Sequence, residues 1–386
     1  MKRSTDRILT THCGSLARPK ELLDLMRAKA LGKPYDSDGY EVAVRDAVTI
    51  SVREQVNAGL DSVSDGEQGK IGHALYVGER LTGFEMLPNG DSSLFRAEEE
   101  SFPEYYEEYF KVAMLGGAVA PVASPTCTGP VAYRGREELD KDLSNLRDAV
   151  NALGDGWPGE VFMPAIAPSG AGANQHYTSE EEYLFAVADA LRTEYEAIVA
   201  AGFVLQIDDP FLTAIYSDLE VPVDSRRRRA ETYVEAVNHA VRNCPEEKIR
   251  FHTCYGINEG PRIHDIPLAE IIDVILGVKA GAYSFEAANP RHEHEYHVWD
   301  DVRLPDGKLL LPGVITHSTN IVEHPELIAE RIVRFAERVG RERVIAGADC
   351  GFASQASYKP EVHPTVVWAK FRALHEGARI ATERLW

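Results

Sequence analysis

Phe203-Val204-Leu205-Gln206-Ile207-Asp208 is a short apolar run that ends on an acid, and an amphipathic helix is expected on either side of it. Before it, Leu184, Val187, Ala188, Leu191, Tyr195 and Ile198 recur at helical spacing. Thr178 with Glu181 reads as a capping-box start to that helix, and Gly202 as its stop. After the run, Arg226 to Val241 reads as helix, with Ala230, Tyr233, Val234, Val237 and Val241 along one side. A buried strand between two such helices is the repeating unit of a parallel sheet covered by helices.

The unit recurs along the chain. Apolar runs begin at Ile8, Ser62, Val161, Ile249, Ala282, Leu309 and Val344, and Pro325 opens a late helix that Gly340 closes. Eight units close an α/β barrel, so the fold expected is a (β/α)8 TIM barrel. Ala118-Val119-Ala120-Pro121-Val122 makes a ninth candidate strand, and the sequence does not decide which of the nine stands outside the barrel. Residues from about 78 to 135 are irregular and hold Glu98-Glu99-Glu100 and Tyr105-Tyr106-Glu107-Glu108-Tyr109-Phe110. They read as an insertion over one end of the barrel, with a homo-oligomer contact as one use for it. No low-complexity linker divides residues 1–386, so one catalytic barrel is the expected organisation.

Composition narrows the function. The 386 residues carry 41 Lys+Arg against 61 Asp+Glu, a net charge of −20, which disfavours nucleic-acid and anionic-membrane partners. No stretch approaches the roughly 20 apolar residues of a membrane span, and the first residues carry charge without an apolar run behind it. Five scattered cysteines in a long chain are not a disulfide framework. A cytoplasmic protein is expected, acting on small molecules.

Polar residues gather just after the apolar part of each predicted strand, the edge where α/β barrels keep their active sites. They are Cys13-Gly14-Ser15, Asp65-Gly66-Glu67, Asp208-Asp209-Pro210, His252-Thr253-Cys254, Glu286, His317 and Asp349-Cys350-Gly351. The sharpest subset is His252, Cys254, Glu286 and Cys350. Residues two apart on a strand point the same way, so His252 and Cys254 can reach one ion. Glu286 and Cys350 follow 32 and 96 residues after Cys254, each at a later strand end. Two thiolates, an imidazole and a carboxylate suit zinc. Against this stand two plainer readings: ordinary strand residues, or a closed structural zinc site, although structural sites usually draw on local cysteine knuckles.

Thr10-Thr11-His12-Cys13-Gly14-Ser15-Leu16-Ala17-Arg18-Pro19, Asp65-Gly66-Glu67, Gln206-Ile207-Asp208-Asp209-Pro210, His252-Thr253-Cys254, Glu286, Thr316-His317-Ser318 and Asp349-Cys350-Gly351 together resemble the cobalamin-independent methionine synthases. Seven motifs agree in order, and the resemblance covers the chain as one catalytic barrel. It implies that His252, Cys254, Glu286 and Cys350 bind zinc. It implies that Ser15, Glu67 and Asp208 hold the amino-acid part of homocysteine and that His317 acts in proton transfer, its pKa near neutrality. The activity implied is thiol S-alkylation: a zinc-bound thiolate attacks the carbon of an alkyl donor.

Ala165-Ile166-Ala167-Pro168-Ser169-Gly170-Ala171-Gly172 lacks the tryptophan that the long synthases carry where a pterin stacks. The segments after Cys254 and Glu286 look more like the short branch, which includes epoxyalkane:coenzyme M transferases. Opening of an epoxide by zinc-bound coenzyme M is therefore the nearest alternative, with Arg18, Arg262 and Arg291 as anion-holding candidates or as ordinary salt-bridge arginines. A zinc hydrolase or lyase and a structural-zinc binding protein are the more distant ones. His292-Glu293-His294 reads as support for the ligands, Arg226 to Arg229 as a solvated helix start, Cys13 as facing the site, and Cys127 and Cys244 as inert.

Overall fold

Eight short parallel strands lie in the order β1-β8-β7-β6-β5-β4-β3-β2 around a nearly closed barrel. They are β1 (Leu9–Thr10), β2 (Ser62–Val63), β3 (Glu160–Ile166), β4 (Val204–Asp208), β5 (Ile249–His252), β6 (Ala282–Phe285), β7 (Leu309–Ile315) and β8 (Ile345–Ala348). This computed structural model describes residues 1–87, 96–111, 117–120, 124–154, 156–219, 221–256 and 260–386. Helices α1 (Lys20–Ala30) and α2 (Ser37–Asn57) follow β1, and α3 (Arg136–Asn151) follows β2. Then α4 (Glu180–Ala200), α5 (Val223–Ala240) and α6 (Leu268–Leu276) follow β3, β4 and β5. The short helices Glu293–His297 and Val298–Asp301 follow β6, and α7 (Pro325–Val339) and α8 (Pro364–Leu385) complete the ring.

The strands are almost wholly buried because helices cover them outside and side chains fill them inside, which is why they read as continuous apolar runs. On α7, Ile328, Ala329, Ile332, Phe335, Ala336 and Val339 form the buried face. Burying a side chain of the size of Ile332 or Phe335 contributes about 1.5–3 kcal/mol. Register matters more than strand length for the site. Ile166 pairs with Asp208, Asp208 with His252, and His252 with Ser284, so four neighbouring strands bring these residues to one level.

The structure decides or refines three sequence readings. Of the candidate Ala118–Val122, the described residues 118–120 stand outside the barrel: Ala118 forms an isolated antiparallel bridge with Ser357, and residues 121–123 lie outside the described residues. The cap of α4 falls one residue later than Thr178 with Glu181. Ser179 accepts from the Glu182 N–H, while the Glu182 carboxylate reaches back to the Thr178 N–H and hydroxyl. The arginine run lies inside α5, which begins at Val223. Its members are spent locally: Arg226 on the Val221 and Tyr216 carbonyls, Arg227 on Glu231 and Asp273, Arg229 on Glu180.

The insertion does lie over one end, the carboxyl end of the strands. Its Phe84–Leu87 and Ser124–Cys127 strands pair antiparallel, and the latter pairs with Ala173–Asn174 in a small separate sheet. The Glu98 carboxylate accepts from the Ile263 and His264 N–H groups, and Tyr106 donates to the Pro261 carbonyl, all beyond β5. Tyr109 reaches Glu361 and the Gly117 carbonyl accepts from Tyr358, both beyond β8. Tyr106 and Tyr109 are thereby buried within the chain. No helix among the described residues is long and apolar enough to cross a membrane.

The seam of the barrel lies between β1 and β2, where a side chain does the work of a ladder. Asp61 accepts from the Thr10 N–H at 2.9 Å and hydroxyl at 3.1 Å, donates its own N–H to the Thr10 carbonyl, and pairs with Arg7. Asp61→Ala leaves the Thr10 N–H unsatisfied. It is expected to cost about 1–3 kcal/mol in urea unfolding, with faster amide exchange at Thr10; unchanged stability would mean that the seam does not depend on this carboxylate.

Candidate metal centre and its cleft

The end of β5 and the end of β8 meet at three buried ligand atoms. One ligand atom each from His252, Cys254 and Cys350 lies within 4.8 Å of the other two, and the two sulfurs are 3.2 Å apart. Thr253, between His252 and Cys254, points the other way, donating its hydroxyl to the Asp209 carbonyl and its N–H to the Ser284 carbonyl. That alternation turns His252 and Cys254 to the same side.

These residues fit a soft divalent cation. Nδ1 of His252 meets the Ser284 hydroxyl at 3.0 Å, whereas Nε2 is buried without a partner. A ring fixed at one nitrogen and bare at the other is the form in which histidine ligates a metal. Burial lowers the His252 pKa to about 3, so the ring is neutral. The neighbouring Cys254 thiol, and then burial, push the Cys350 thiol well up. A crowded thiol such as Cys350 gives up its proton to a bound cation. Three protein ligands also leave one tetrahedral position open, as in reactive rather than closed sites.

Glu286, the fourth expected ligand, is placed beside the trio rather than in it. It groups with His317 and Asp349 within 4.8 Å. Its Oε1 accepts from the Tyr255 N–H at 2.8 Å, and its Oε2 from Asn289 at 2.7 Å and Arg291 at 3.1 Å. Asp349 accepts from the Ala287 and Ala288 N–H groups and from Asn289, so it fixes the turn that carries Glu286. Gly313 on β7 makes this possible, since a Cβ there would overlap the Asp349 carboxylate. Neither ring nitrogen of His317 meets hydrogen-bonding geometry. Burial lowers its pKa to about 4, opposed by the charge of Asp349 and the nearby Gly256 backbone, so the near-neutral value expected for it is not found.

A cleft of about 130 Å³ opens from the trio, and Cys13, Ser15, Glu67, His73 and Asp208 line it. Glu67 is the one non-glycine among the described residues with positive φ, at 55°. The strain is held by its N–H on Asp65 and by Arg18 on its carbonyl, and strain of this kind gathers at working sites. Its Oε2 is buried without a partner. Asp208 is oriented by Gln206, which donates to its Oδ1 at 2.6 Å. Burial, and next the charge of Glu67, hold the Asp208 carboxyl well above the usual range. Ser15 comes close to Gly351, where any Cβ would overlap its hydroxyl. Cys13 does face the cleft, its sulfur 3.7 Å from Nδ1 of His252.

The three candidate anion-holding arginines are occupied. Arg18 is buried on the carbonyls of Leu16, Glu67, Lys70 and Ala353. Arg262 pairs with Asp265, and Arg291 with Asp265 and Glu286. Sequence reading missed His73, Ser284, Asn289 and the part played by Asp349. His73 carried one usable signal, a ring six residues beyond Glu67 at the same barrel edge. Ser284 was visible only as the residue two before Glu286 on a strand. His292, read as support for the ligands, stacks on Tyr255 with ring centroids 3.9 Å apart and bridges Asp265 and Glu295.

A family model described as "Cobalamin-independent synthase, Catalytic domain" matches residues 169–367. The methionine synthase of Thermococcus kodakarensis is 24% identical over 346 residues, which cover 89% of this chain and 86% of that protein. That of Saccharolobus solfataricus is 24% identical over 379 residues, covering 97% and 95%. Among solved structures, a B12-independent methionine synthase from a Shewanella strain, in complex with selenomethionine, has a TM-score of 0.70 at 20% identity over 98% of this chain and 99% of that one. A putative vitamin-B12 independent methionine synthase from Listeria monocytogenes has a TM-score of 0.65 at 20% identity, with the same coverage. At this identity the likeness is one of fold.

Ser284→Ala frees the His252 ring and is expected to weaken zinc binding about 10- to 100-fold in a chelator competition, with the fold intact by circular dichroism. Unchanged affinity would remove Ser284 from the centre. For His292, burial opposes the charged ring, but Asp265 and Glu295 overcome it and raise the pKa to about 9. The folded value lies above the unfolded value of roughly 6.5, so this stability is complete below that pH and is lost as pH rises through 9. Urea midpoints of the wild type should fall across that window by more than those of His292→Gln; parallel profiles would contradict the assignment.

Proposed function

This chain belongs to the cobalamin-independent methionine synthase family, and on that premise we propose that it is a zinc-dependent thiol S-alkyltransferase with homocysteine as the acceptor. The observation that carries the reading is the conjunction of two features in one cleft. The trio of His252, Cys254 and Cys350 is a soft donor set fitted to a divalent cation, and in the same cleft Oε2 of Glu67 is buried without a hydrogen-bond partner, with Asp208 lining the wall beside it. Homocysteine is a small molecule with a thiol at one end and an ammonium at the other.

Zinc, when bound, lowers the pKa of a thiol and keeps its sulfur nucleophilic. The remaining work falls to the chain. Glu67 and Asp208 bind the ammonium through charge-assisted hydrogen bonds, and Ser15 bounds the amino-acid end of the cleft. Glu286 stands beside the trio as the reserve ligand. His317 has both ring nitrogens available to take a proton and pass it to the leaving group, and Asp349 favours the charged ring at that moment. The donor is a small-molecule carrier of an alkyl group, and methyl transfer is the form of the reaction that the family supports.

The coenzyme M alternative is electrostatically disfavoured. A sulfonate would meet Glu67 and Asp208, while Arg18, Arg262 and Arg291 are bound elsewhere. X-ray absorption at the zinc edge separates the cases. With purified protein, a shell of two sulfurs should become three on adding homocysteine. A shell that changes with coenzyme M and not with homocysteine would overturn the acceptor, and protein that takes up no zinc would overturn the metal.

A further inference from the structure

His73 lines the same cleft and has no part in the roles above. Its position is fixed through the backbone. The His73 N–H donates to the Ser354 carbonyl at 2.8 Å, and Gly72 bridges antiparallel to Gln355, so the segment is tied to the loop that follows Cys350. The ring has two different ends. Nδ1 lies 4.0 Å from Oδ2 of Asp208, and Nε2 is buried without a partner. With its proton on Nδ1, the nitrogen nearer Asp208, a neutral ring presents the Nε2 lone pair as an acceptor.

We infer that His73 is a specificity-determining residue, whose Nε2 is the third hydrogen-bond acceptor, with Glu67 and Asp208, for the primary ammonium of an amino-acid thiol. The inference rests on the function proposed above and deepens it. An R–NH3⁺ group carries three N–H donors. The cleft offers three acceptors to match: Oε2 of Glu67, which has no partner, Oδ2 of Asp208, whose Oδ1 already serves Gln206, and Nε2 of His73. A neutral acceptor serves here better than a third carboxylate, because it adds a hydrogen bond without adding a charge beside two acids. The same lone pair repels a carboxylate or sulfonate oxygen. A thiol without the ammonium would leave all three acceptors buried and unpaired, the situation in which a site built to bind a polar group rejects its apolar analogue.

The test is calorimetric titration of zinc-loaded protein with L-homocysteine and with 4-sulfanylbutanoate, which keeps the thiol and carboxylate and lacks the ammonium. His73→Met should weaken homocysteine binding about 10-fold or more and leave 4-sulfanylbutanoate unchanged, and His73→Ala should repeat the pattern. His73→Gln, which retains an acceptor, should recover most of the homocysteine affinity. Zinc content and the unfolding midpoint report on folding in each variant. Homocysteine binding that is unchanged in His73→Met and His73→Ala, or equal losses for both thiols, would overturn the inference and leave the proposed function standing. Wild-type protein that holds zinc and binds no homocysteine would overturn the proposed function, and this inference with it.

Discussion

Arg250 is the charge around which the barrel is assembled. It stands inside the barrel, 3.4 Å over the ring of Phe162, with no carboxylate bonded to it. Its donors go to Oε1 of Gln206, the Thr11 hydroxyl and the His12 carbonyl, at 2.6 to 2.9 Å. Burial lowers its pKa to about 10, which still leaves it charged at neutral pH. A buried guanidinium is tolerable only when its hydrogen bonds are made, so β1, β4 and β5 are held in one relation. The consequence passes outward: Gln206, fixed by Arg250, aims its amide at Asp208 and at the Cys13 carbonyl. The acid end of the cleft is therefore positioned from the centre of the barrel.

The same logic accounts for the contrast between the net charge of −20 and the local electrostatics of the site. The surface excess of acid is solvated and costs little. Inside, each carboxylate is either answered or left waiting. Asp265 is answered by Arg262, Arg291 and His292, which, against the cost of burial, bring its pKa down to about 2. Asp349 is answered by backbone N–H groups. Glu67 and Asp208 lack cationic side chains at bonding distance, and they line the cleft where the proposed function places an ammonium.

The parts that follow from periodicity were legible in the sequence. Buried strands such as Val204–Asp208 leave continuous apolar runs, and α7 shows its apolar face, its Pro325 start and its Gly340 stop in plain order. Polar residues at strand ends gave the trio as well, because two-residue spacing on a strand is a geometric statement. What stayed hidden depends on partners distant in sequence. Ala118–Val122 has the composition of a strand, but its described residues, 118–120, pair with no barrel strand. Arg18 looked like an anion ligand until its four carbonyl acceptors were seen. Glu286 sits at a strand end as expected, yet the Tyr255 N–H, Asn289 and Arg291 satisfy it there. His73 acts through a lone pair whose meaning comes from Asp208, 135 positions further along the sequence.

Most of the barrel wall is laced by backbone ladders, and the β1–β2 seam is held by Asp61 and by a bond from the Leu16 N–H to the Gly66 carbonyl. Ser15 and Glu67 sit on the two lips of that seam. A wall held by one side chain and two scattered backbone bonds has a mechanical compliance that a continuous ladder lacks. The wall that carries His252, Cys254 and Cys350, with β5 laddered on both sides and β8 to β7, is stiff by comparison. Under the proposed function, the sulfur would meet the stiffer wall and the amino-acid end the more yielding seam. Variation in the length of the thiol's carbon chain would be absorbed at the seam and not at the metal.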